Sequence, residues 1–266
     1  MRSILILGAG YAGEALIPLL LGRGYRVHAT RRSHSAAAQP PEGLMSSRFD
    51  LDDPATWDRL PECWGCVWTF PAEPPGLVRD FSRVLGRKCS RLVVIGTTSS
   101  YIQVAEDQDI DESVPLDTSI PRVEGEEHLR ETGAVILRAA GIYGPSTDRH
   151  TQRNPLEWLR RGLVAGPEKY LNVVHVHDLA VAILTALEAE ITGEQFIVTD
   201  GHPLRWGAIE EWAGARRLLR QGVYGGSGRG RSRRLSNARL LAELRPALTH
   251  TDLFVEIESL ERSASV

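Results

Sequence analysis

The stretch Ile4-Leu5-Ile6-Leu7-Gly8-Ala9-Gly10-Tyr11-Ala12-Gly13-Glu14-Ala15-Leu16 decides the fold. Its first four residues are all apolar, which predicts a strand that is buried on both faces, as in a parallel sheet. A Gly-x-Gly-x-x-Gly turn follows at residues 8–13, and apolar residues then recur at helical spacing up to Leu20. A strand, a glycine turn and a helix in this order are the context that a dinucleotide-binding fingerprint requires. We therefore expect a dinucleotide site at this turn.

Each glycine of the turn has its own physical role in such a site. Gly8 permits the tight turn after the strand, Gly10 lets the backbone approach a diphosphate, and Gly13 lets the helix pack closely on the sheet. The start of the helix presents free N–H groups and the positive end of its dipole to the phosphates. Tyr11 and Ala12 lie at this helix start, and we expect them to contact the cofactor as well.

The length and composition are typical of a globular protein. A chain of 266 residues can bury a sizeable core, as one large α/β unit or as a main domain with a small appendage. The net charge of −3 gives no bulk electrostatic reason to expect nucleic acid or a membrane as partner, and no apolar run approaches the ~20 residues of a membrane span. Met1-Arg2-Ser3 leads directly into the first strand, without room for a signal peptide. We expect a soluble cytoplasmic protein, monomeric or homodimeric, with a small-molecule substrate.

The three cysteines, Cys63, Cys66 and Cys89, allow two interpretations. Cys63 and Cys66 have the CxxC spacing of redox pairs and of half a zinc site, but no second CxxC completes four ligands. Cys66 also opens an apolar segment, which favours buried structural cysteine. An odd count without a secretion signal argues against a disulfide framework, and we expect no metal site.

The residues after the second strand predict the type of cofactor. This strand is expected at 25–30, and Arg31 and Arg32 follow it without an acidic residue. At this position an acid binds the ribose 2′-hydroxyl of NAD, whereas an arginine accommodates the 2′-phosphate of NADP. The pattern favours NADP over NAD, with two solvated loop arginines as the alternative.

Further cofactor contacts are expected where later strands end, because ligands bind at the carboxyl ends of strands in open α/β sheets. Asp50, followed by Leu51, lies one step past a short strand at 47–49. Asp50 is either an acceptor for the adenine amino group or a turn residue. Phe70 and Pro71 mark the end of the fourth strand, expected at 66–70.

Hydroxyl residues follow the fifth strand, which is expected at 91–96. They form the run Thr97-Thr98-Ser99-Ser100-Tyr101, and Thr97 is predicted to contact the cofactor. The run is either a polar site at the cofactor crevice or ordinary turn and capping structure.

Later segments complete a pattern that covers nearly the whole chain. After Asp50-Leu51-Asp52 and Gly96-Thr97-Thr98-Ser99-Ser100-Tyr101 come Leu137-Arg138-Ala139-Ala140-Gly141-Ile142-Tyr143-Gly144-Pro145, Asn172-Val173-Val174-His175-Val176-His177-Asp178-Leu179-Ala180 and Ser236-Asn237-Ala238-Arg239-Leu240. In this order they resemble the extended short-chain dehydrogenase/reductases, the group of nucleoside-diphosphate-sugar epimerases and dehydratases. The resemblance implies a Rossmann-type α/β fold, that is, a doubly wound parallel sheet with a small C-terminal substrate lobe. It also implies a nicotinamide cofactor.

On this resemblance we expect an NADP-binding domain at 1–143, whose core also uses about 173–198. The substrate lobe is expected at 144–172 and 199–266.

The chain departs from the family at its catalytic pair, Tyr-x-x-x-Lys, in which the tyrosine is the acid/base and the lysine holds the nicotinamide ribose. The two lysines, Lys88 and Lys169, do not lie four residues after a tyrosine. The matching positions are Thr118 and Arg122. An aliphatic hydroxyl is far too weak an acid to replace a phenol, whereas Arg122 can still hold a ribose or a phosphate. The chain thus resembles the atypical branch of the family, which includes reductase-like proteins and some that only sense NADP.

The resemblance also places candidates for chemistry and binding. Thr98 matches the family's substrate-binding Ser/Thr. Tyr101 is the first candidate for the proton donor, with packing or pocket lining as the alternative. Ala140 and Ile142 are expected at the cofactor. Residues expected on the substrate side are Ser99, Tyr143 and His150, the last in a polar cluster with Asp148, Arg149, Arg153 and Asn154.

Two other segments carry possible chemistry. His175 and His177 are either a metal pair or ordinary structure in which Asp178 is the N-cap of the next helix, and the second interpretation is favoured. The Gly- and Arg-rich segment 225–234 is a loop over an anionic substrate, an RNA-binding tail or a surface loop. The absence of interleaved aromatic residues argues against nucleic acid, and a surface loop is favoured.

Two functional hypotheses follow. The first is an NADP-dependent oxidoreductase or epimerase-like enzyme acting on a small carbonyl or nucleotide-sugar-like substrate. The second is a non-catalytic NADP-binding protein that reports redox state or scaffolds a partner. The missing Tyr and Lys favour the second hypothesis, whereas the polar cluster at 97–101 and His150 favour the first.

Overall fold

The computed structural model describes residues 2–33, 41–146, 153–226 and 231–264. Its strands are β1 (Ser3–Leu7), β2 (Arg26–Arg31), β3 (Leu44–Arg48), β4 (Gly65–Trp68), β5 (Leu92–Thr97), β6 (Gln108–Ile110), β7 (Val135–Ala139), β8 (Gly141–Tyr143), β9 (Tyr170–Leu171), β10 (Val173–His175), β11 (Gln195–Val198), β12 (Leu204–Arg205) and β13 (Arg233–Leu235). Its helices are α1 (Tyr11–Gly22), α2 (Pro75–Lys88), α3 (Pro121–Glu131), α4 (Pro155–Arg160), α5 (Val176–Glu188), α6 (Trp206–Ala215) and α7 (Leu253–Ala264).

Seven of these strands form one parallel sheet in the order β11-β7-β5-β4-β1-β2-β3. From β1 the chain moves outward through β2 to β3, and it then returns to β4 on the other side of β1. This reversal of direction opens a crevice at the carboxyl ends of β1 and β4, which is where ligands bind in such sheets. The predicted Rossmann-type doubly wound fold is confirmed.

The alternation of side chains along β1 explains why helices cover both faces of the sheet. Ile4 and Ile6 are fully buried in a core that includes Leu16 of α1 and Ile183 of α5. Leu5 and Leu7 point to the opposite face and belong to a second core, to which α2 and α3 contribute. A strand that is buried on both faces needs apolar residues at every position, as the run at 4–7 has.

The C-terminal part of the chain builds a third apolar cluster of its own. Leu156 of α4, Ile209 of α6 and Ile257 of α7 are fully buried there, together with Tyr143 at the end of β8. Two short ladders, β8 with β10 and β9 with β12, connect this region to the end of the main sheet. Among the residues described, no helix has both the length and the apolar character that crossing a bilayer requires.

The odd number of cysteines argues against a disulfide framework, but the structure contains one disulfide. Cys63 and Cys89 are joined by a disulfide. The backbone brings them together, because the N–H of Cys63 donates to the carbonyl oxygen of Lys88 at 2.8 Å, just where α2 ends. Cys66 is a free, buried cysteine at the start of the apolar strand β4.

The expectation of a surface loop was wrong for the end of the arginine-rich segment. Arg233–Leu235 forms β13 and pairs in parallel with β6. The guanidinium of Arg234 binds the carboxylate of Asp109 through two hydrogen bonds of 2.7 and 2.9 Å. These contacts fix the strand, which sequence composition alone does not reveal. Residues 227–230 of this segment lie outside the described residues.

Candidate functional site

The glycine turn is braced by the two strands that flank β1. Gly8 has a φ of +82°, a conformation that glycine adopts without a steric penalty. Its N–H donates to the hydroxyl of Thr30 at 3.1 Å, near the end of β2. On the other side, the Thr69 hydroxyl contacts the carbonyl oxygens of Leu7, at 3.0 Å, and of Gly8. The turn is therefore held from both sides of the crevice.

The missing side chain has a different consequence at Gly10 than at Gly13. A Cβ added to Gly13 would lie 3.1 Å from the carbonyl oxygen of Gly8 and 3.2 Å from a methyl carbon of Ile6, so this glycine permits the close contact of α1 with β1. A Cβ added to Gly10 would meet no atom of the described residues within 4 Å. Gly10 thus borders open space at the start of α1, where the first backbone N–H groups of a helix have no intrahelical partner. Such a place accepts an anion that approaches the backbone.

A cleft of about 930 Å³ extends from this turn along the carboxyl ends of the strands. Of the residues that the sequence predicts at the cofactor, all but Gly13 line it. The predicted cofactor residues that line the cleft are Gly8, Gly10, Tyr11, Ala12, Arg31, Arg32, Asp50, Leu51, Phe70, Pro71, Thr97, Arg122, Ala140 and Ile142.

One end of the cleft carries positive charge at the end of β2. Arg31 forms an ion pair of 2.5 Å with Glu14 of α1, and about half of its side chain is exposed. The Arg32 side chain is exposed and has no hydrogen bond or ion pair within the described parts of the chain. An anion that enters this end therefore meets the paired guanidinium of Arg31 and that of Arg32, which has no partner in the described parts of the chain.

Asp50 faces the same end of the cleft and also shapes a turn. Its Oδ1 accepts a hydrogen bond of 3.3 Å from the N–H of Asp52, and its Oδ2 lies 3.6 Å from the guanidinium of Arg48. Both roles that the sequence allows for Asp50 are therefore compatible with its position.

At the other end of the cleft, a buried ionic network holds Arg122. The Arg122 guanidinium donates to Glu126 at 2.7 Å and to the carbonyl oxygen of Ile95 at 3.1 Å. Glu126 is fully buried and also accepts a 2.5 Å hydrogen bond from Arg138, which is itself fully buried. Gly96 makes room for this carboxylate, since a Cβ there would lie 3.1 Å from it. This network was not predicted from the sequence, although the lone Gly96 near the end of β5 is a signal for such a close approach.

The candidates for chemistry occupy other positions. Tyr101 is 4% exposed and packs against Ile110 and Leu235. Its phenol oxygen has no hydrogen-bond partner among the described residues, and burial raises its pKa above the ordinary range of tyrosine. Thr98 is 6% exposed. Neither side chain is among the residues that line the cleft.

The substrate-side candidates are also separated from the cleft. Tyr143 is fully buried in the third apolar cluster, and burial raises its pKa as well. Ser99 is exposed, and its N–H donates to the Thr97 hydroxyl at 3.2 Å, which is a capping contact. His150 lies outside the described residues.

Several residues line the cleft that the sequence analysis did not assign to it. They include Thr69, Glu73, Arg153 and Trp158. Apart from Tyr11, the described residues that line the cleft include no tyrosine, and they include no histidine, lysine or cysteine. The side chains most often used as acids and bases near neutral pH are thus rare along this surface.

His175 and His177 lie at the start of α5, in a cluster with Asp178 and His250. The expectation for Asp178 was wrong, because His175 is the N-cap of α5 and accepts a hydrogen bond of 3.3 Å from the N–H of His177. Asp178 instead binds the backbone and ring of His250, at 2.9 Å each. The rings of His175 and His250 stack with centroids 3.9 Å apart and an angle of 15° between their planes. Ligand atoms of His175, His250 and Glu256 lie within 4.8 Å of one another.

Comparison with known proteins gives structural neighbours only. No protein-family model and no curated protein matches the sequence. A solved structure of a proposed NAD-dependent epimerase/dehydratase from Methylobacillus flagellatus has a TM-score of 0.74 and 25% sequence identity over 100% of this chain and 99% of its own. The UDP-N-acetylglucosamine 4-epimerase from Methanobrevibacter ruminantium M1 has a TM-score of 0.79 and 14% identity over 99% of this chain and 98% of its own.

A third neighbour was solved with both a cofactor and a nucleotide sugar. MoeE5, in complex with UDP-glucose and NAD, has a TM-score of 0.77 and 16% identity over 99% of this chain and 100% of its own. The matches extend over both the sheet and the C-terminal region. The chain has the fold of the extended short-chain dehydrogenase/reductases, and the resemblance predicted from its motifs is confirmed at the level of the fold.

Proposed function

We propose that the protein binds NADP in the cleft at the carboxyl ends of β1 and β4. The observation that carries this proposal is the open space at Gly10, which lies at the start of α1 in a cleft that Arg31 and Arg32 also line. A diphosphate fits a place where backbone N–H groups are free and no side chain intervenes. The two guanidinium groups favour a phosphorylated ribose over a bare one. The neighbour solved with NAD supports a nicotinamide dinucleotide as the class of ligand.

We also propose a division of the chain into two domains. Residues 1–143, with about 173–198, form the NADP-binding domain, and 144–172 with 199–266 form the substrate lobe. The separate apolar cluster around α4, α6 and α7 supports this division.

A nicotinamide dinucleotide supplies a hydride donor or acceptor at its ring, so a hydride-transfer reaction is the activity we propose. Arg122 holds the ribose or phosphate next to Thr97, in place of the lysine found in the family. The substrate is a small carbonyl compound or a nucleotide sugar, since two of the neighbours are a nucleotide-sugar epimerase and a protein solved with UDP-glucose. Thr98 and Tyr101 remain the proposed side chains for substrate contact and proton donation.

A non-catalytic NADP-binding protein is the second candidate function, and a specific observation favours it. The phenol of Tyr101 is buried, and the described residues that line the cleft near Arg122 include no tyrosine, histidine or lysine. A protein that keeps the cofactor site without a proton donor can report the redox state of the NADP pool.

Titration calorimetry with NADP and NAD tests the cofactor assignment. Arg32→Ala removes a guanidinium that has no side-chain partner among the described residues and that would make charge-assisted hydrogen bonds to the 2′-phosphate. We therefore expect NADP to bind about tenfold or more weakly, with NAD affected far less. Arg26→Ala is the matched control, because Arg26 is exposed at the opposite end of the same strand. Equal weakening of both cofactors, or no effect, would exclude the assignment to NADP.

Turnover assays separate the two candidate functions. Purified protein that binds NADP is offered carbonyl compounds and nucleotide sugars, and the absorbance of NADPH is followed. Turnover that Tyr101→Phe abolishes supports the enzyme with Tyr101 as proton donor. Tight NADP binding without turnover of any compound supports the non-catalytic protein.

A further inference from the structure

Arg153 reaches the glycine turn from the opposite side of the cleft. Its backbone pairs with that of Gly144 through two hydrogen bonds of 2.9 and 3.3 Å, just beyond the end of β8. Its side chain lines the cleft. The guanidinium carbon lies 4.7 Å from the centre of the Tyr11 ring, over the face of that ring. A residue that belongs to the proposed substrate lobe thus contacts the first residue of α1.

Tyr11 holds this arrangement in place. Its ring is half-buried, and its hydroxyl donates to the carbonyl oxygen of Gly144 at 2.8 Å. Gly144 is the residue whose backbone pairs with Arg153. The ring is therefore fixed at both ends, and it presents its face to the guanidinium. Stacking on an aromatic face leaves the N–H groups at the edge of a guanidinium free to bind an anion.

Among the described residues, no carboxylate forms an ion pair with Arg153. The cleft arginines Arg31 and Arg122 are paired with Glu14 and Glu126. Within the described parts of the chain, the Arg153 side chain contacts the Tyr11 ring, and neither a carboxylate nor a carbonyl oxygen binds its guanidinium. The positive end of α1 lies next to it, and a cation is unfavourable at a helix N-terminus. An anion between the guanidinium and the helix start would relieve this repulsion.

We propose that Arg153 binds the diphosphate of the dinucleotide from the side opposite Gly10. The proposal rests on the proposed function and names a residue that the family's glycine fingerprint does not contain. The sequence analysis grouped Arg153 with residues that border the substrate, whereas its contact with Tyr11 places it beside the cofactor's diphosphate. Binding of the cofactor then ties the segment after β8 to the glycine turn through one ionic contact.

Titration calorimetry with three ligands tests this assignment on the full-length protein. ADP carries the diphosphate without the 2′-phosphate, NADP carries both, and UDP represents the diphosphate of a nucleotide-sugar substrate. We expect Arg153→Ala to weaken ADP and NADP by a similar factor of about tenfold or more, as for the loss of a charge-assisted hydrogen bond. The affinity of the variant should also depend less on salt, since one cation has been removed.

Two variants serve as controls. Arg161→Ala removes the same charge from an exposed position at the end of α4 and should leave all three affinities unchanged. Arg32→Ala should weaken NADP but not ADP. Thermal denaturation of each variant establishes that it is folded.

The outcomes distinguish the two proposals. If wild-type protein binds neither NADP nor ADP, the proposed function fails. If wild-type protein binds both, and Arg153→Ala binds them as tightly as wild type, the proposal for Arg153 fails alone. If the substitution weakens UDP but not ADP or NADP, the diphosphate bound by Arg153 belongs to the substrate, and the assignment to the cofactor is overturned.

Discussion

Substitution of Gly10 by alanine probes the proposed diphosphate site with one added methyl group. The Cβ of Gly10→Ala would meet no described atom within 4 Å, and the φ of Gly10 is −90°, so the change needs no left-handed backbone. Gly10 is the N-cap of α1 without a side-chain cap. Alanine is a poorer N-cap than glycine but lowers the entropy of the unfolded chain, and these two effects oppose each other at about 1 kcal/mol or less each. We expect the midpoint of thermal unfolding to change by less than about 4 °C.

The effect on binding should be much larger than the effect on stability. The methyl group occupies the space through which a phosphate oxygen approaches the backbone N–H groups at the start of α1. Loss of one hydrogen bond to a charged group costs about 1.5–3 kcal/mol, which corresponds to a roughly 10- to 150-fold weaker affinity. Calorimetric titration of NADP into wild type and Gly10→Ala measures this ratio directly.

Two other glycine substitutions show whether the effect is local. Gly86→Ala lies in the exposed part of α2, where a Cβ also meets no described atom within 4 Å, and it should leave the NADP affinity unchanged. Gly13→Ala places its Cβ 3.1 Å from a backbone oxygen, so it should lower the free energy of unfolding. If Gly10→Ala binds NADP as tightly as wild type, no phosphate approaches this backbone and the assignment of the site is refuted.

Two further predictions concern stability. Burial raises the pKa of Asp200 to about 6 from an ordinary value of 3.8, so this carboxyl destabilises the folded state increasingly as the pH rises from about 4 to 6, by up to ~3 kcal/mol. Urea denaturation should show Asp200→Asn gaining stability relative to wild type across this window. Burial lowers the pKa of His175 to about 4, which gives the opposite dependence of stability on pH. His175 is present in both wild type and Asp200→Asn, so its contribution cancels in their difference. A difference in the free energy of unfolding that does not vary with pH would contradict the prediction. The Cys63–Cys89 disulfide closes a loop of 26 residues, so a reductant should lower the free energy of unfolding by about 3.5 kcal/mol. Alkylation of unfolded, unreduced protein should label one cysteine, and labelling of three would show that the disulfide is absent.

The parts of the fold that follow from local sequence were predictable. The apolar run at 4–7, the glycine turn and the helical spacing after it depend only on neighbouring residues, and together they specify β1, the turn and α1. The carboxyl ends of parallel strands share one edge of a sheet, so the side chains proposed to bind the cofactor could also be placed from strand order. This is why nearly all of the predicted cofactor residues line one cleft.

The parts that depend on distant partners were not predictable. Asp178 follows the N-cap residue by three positions, but its carboxylate binds His250, 72 residues further along the chain. Cys63 and Cys89 become neighbours only when β4 and the end of α2 pack together. Tyr101 follows a strand at the cofactor edge, yet Ile110 of β6 and Leu235 of β13 cover it. No local pattern encodes these contacts, because each requires two segments far apart in the sequence.

The contrast between Gly10 and Arg122 indicates how the proposed NADP binding is compatible with the loss of the family's catalytic pair. Near Gly10 the proposed site consists of the backbone N–H groups at the start of α1 and the space beside them, and both depend on the strand, the turn and the helix. At Arg122 the site consists of one side chain, held by the buried carboxylate of Glu126, which in turn is held by Arg138. Removing one partner of a buried ion pair costs about 3–5 kcal/mol, so the arginine is locked into the fold. A guanidinium that binds Glu126 and the Ile95 carbonyl oxygen can contact an anion in the cleft, but it is not a phenol and does not replace the tyrosine of the family's catalytic pair. Restoring a tyrosine at Thr118 alone is therefore expected to leave turnover unchanged, whereas NADP binding, which depends on the backbone near Gly10, should survive the substitution.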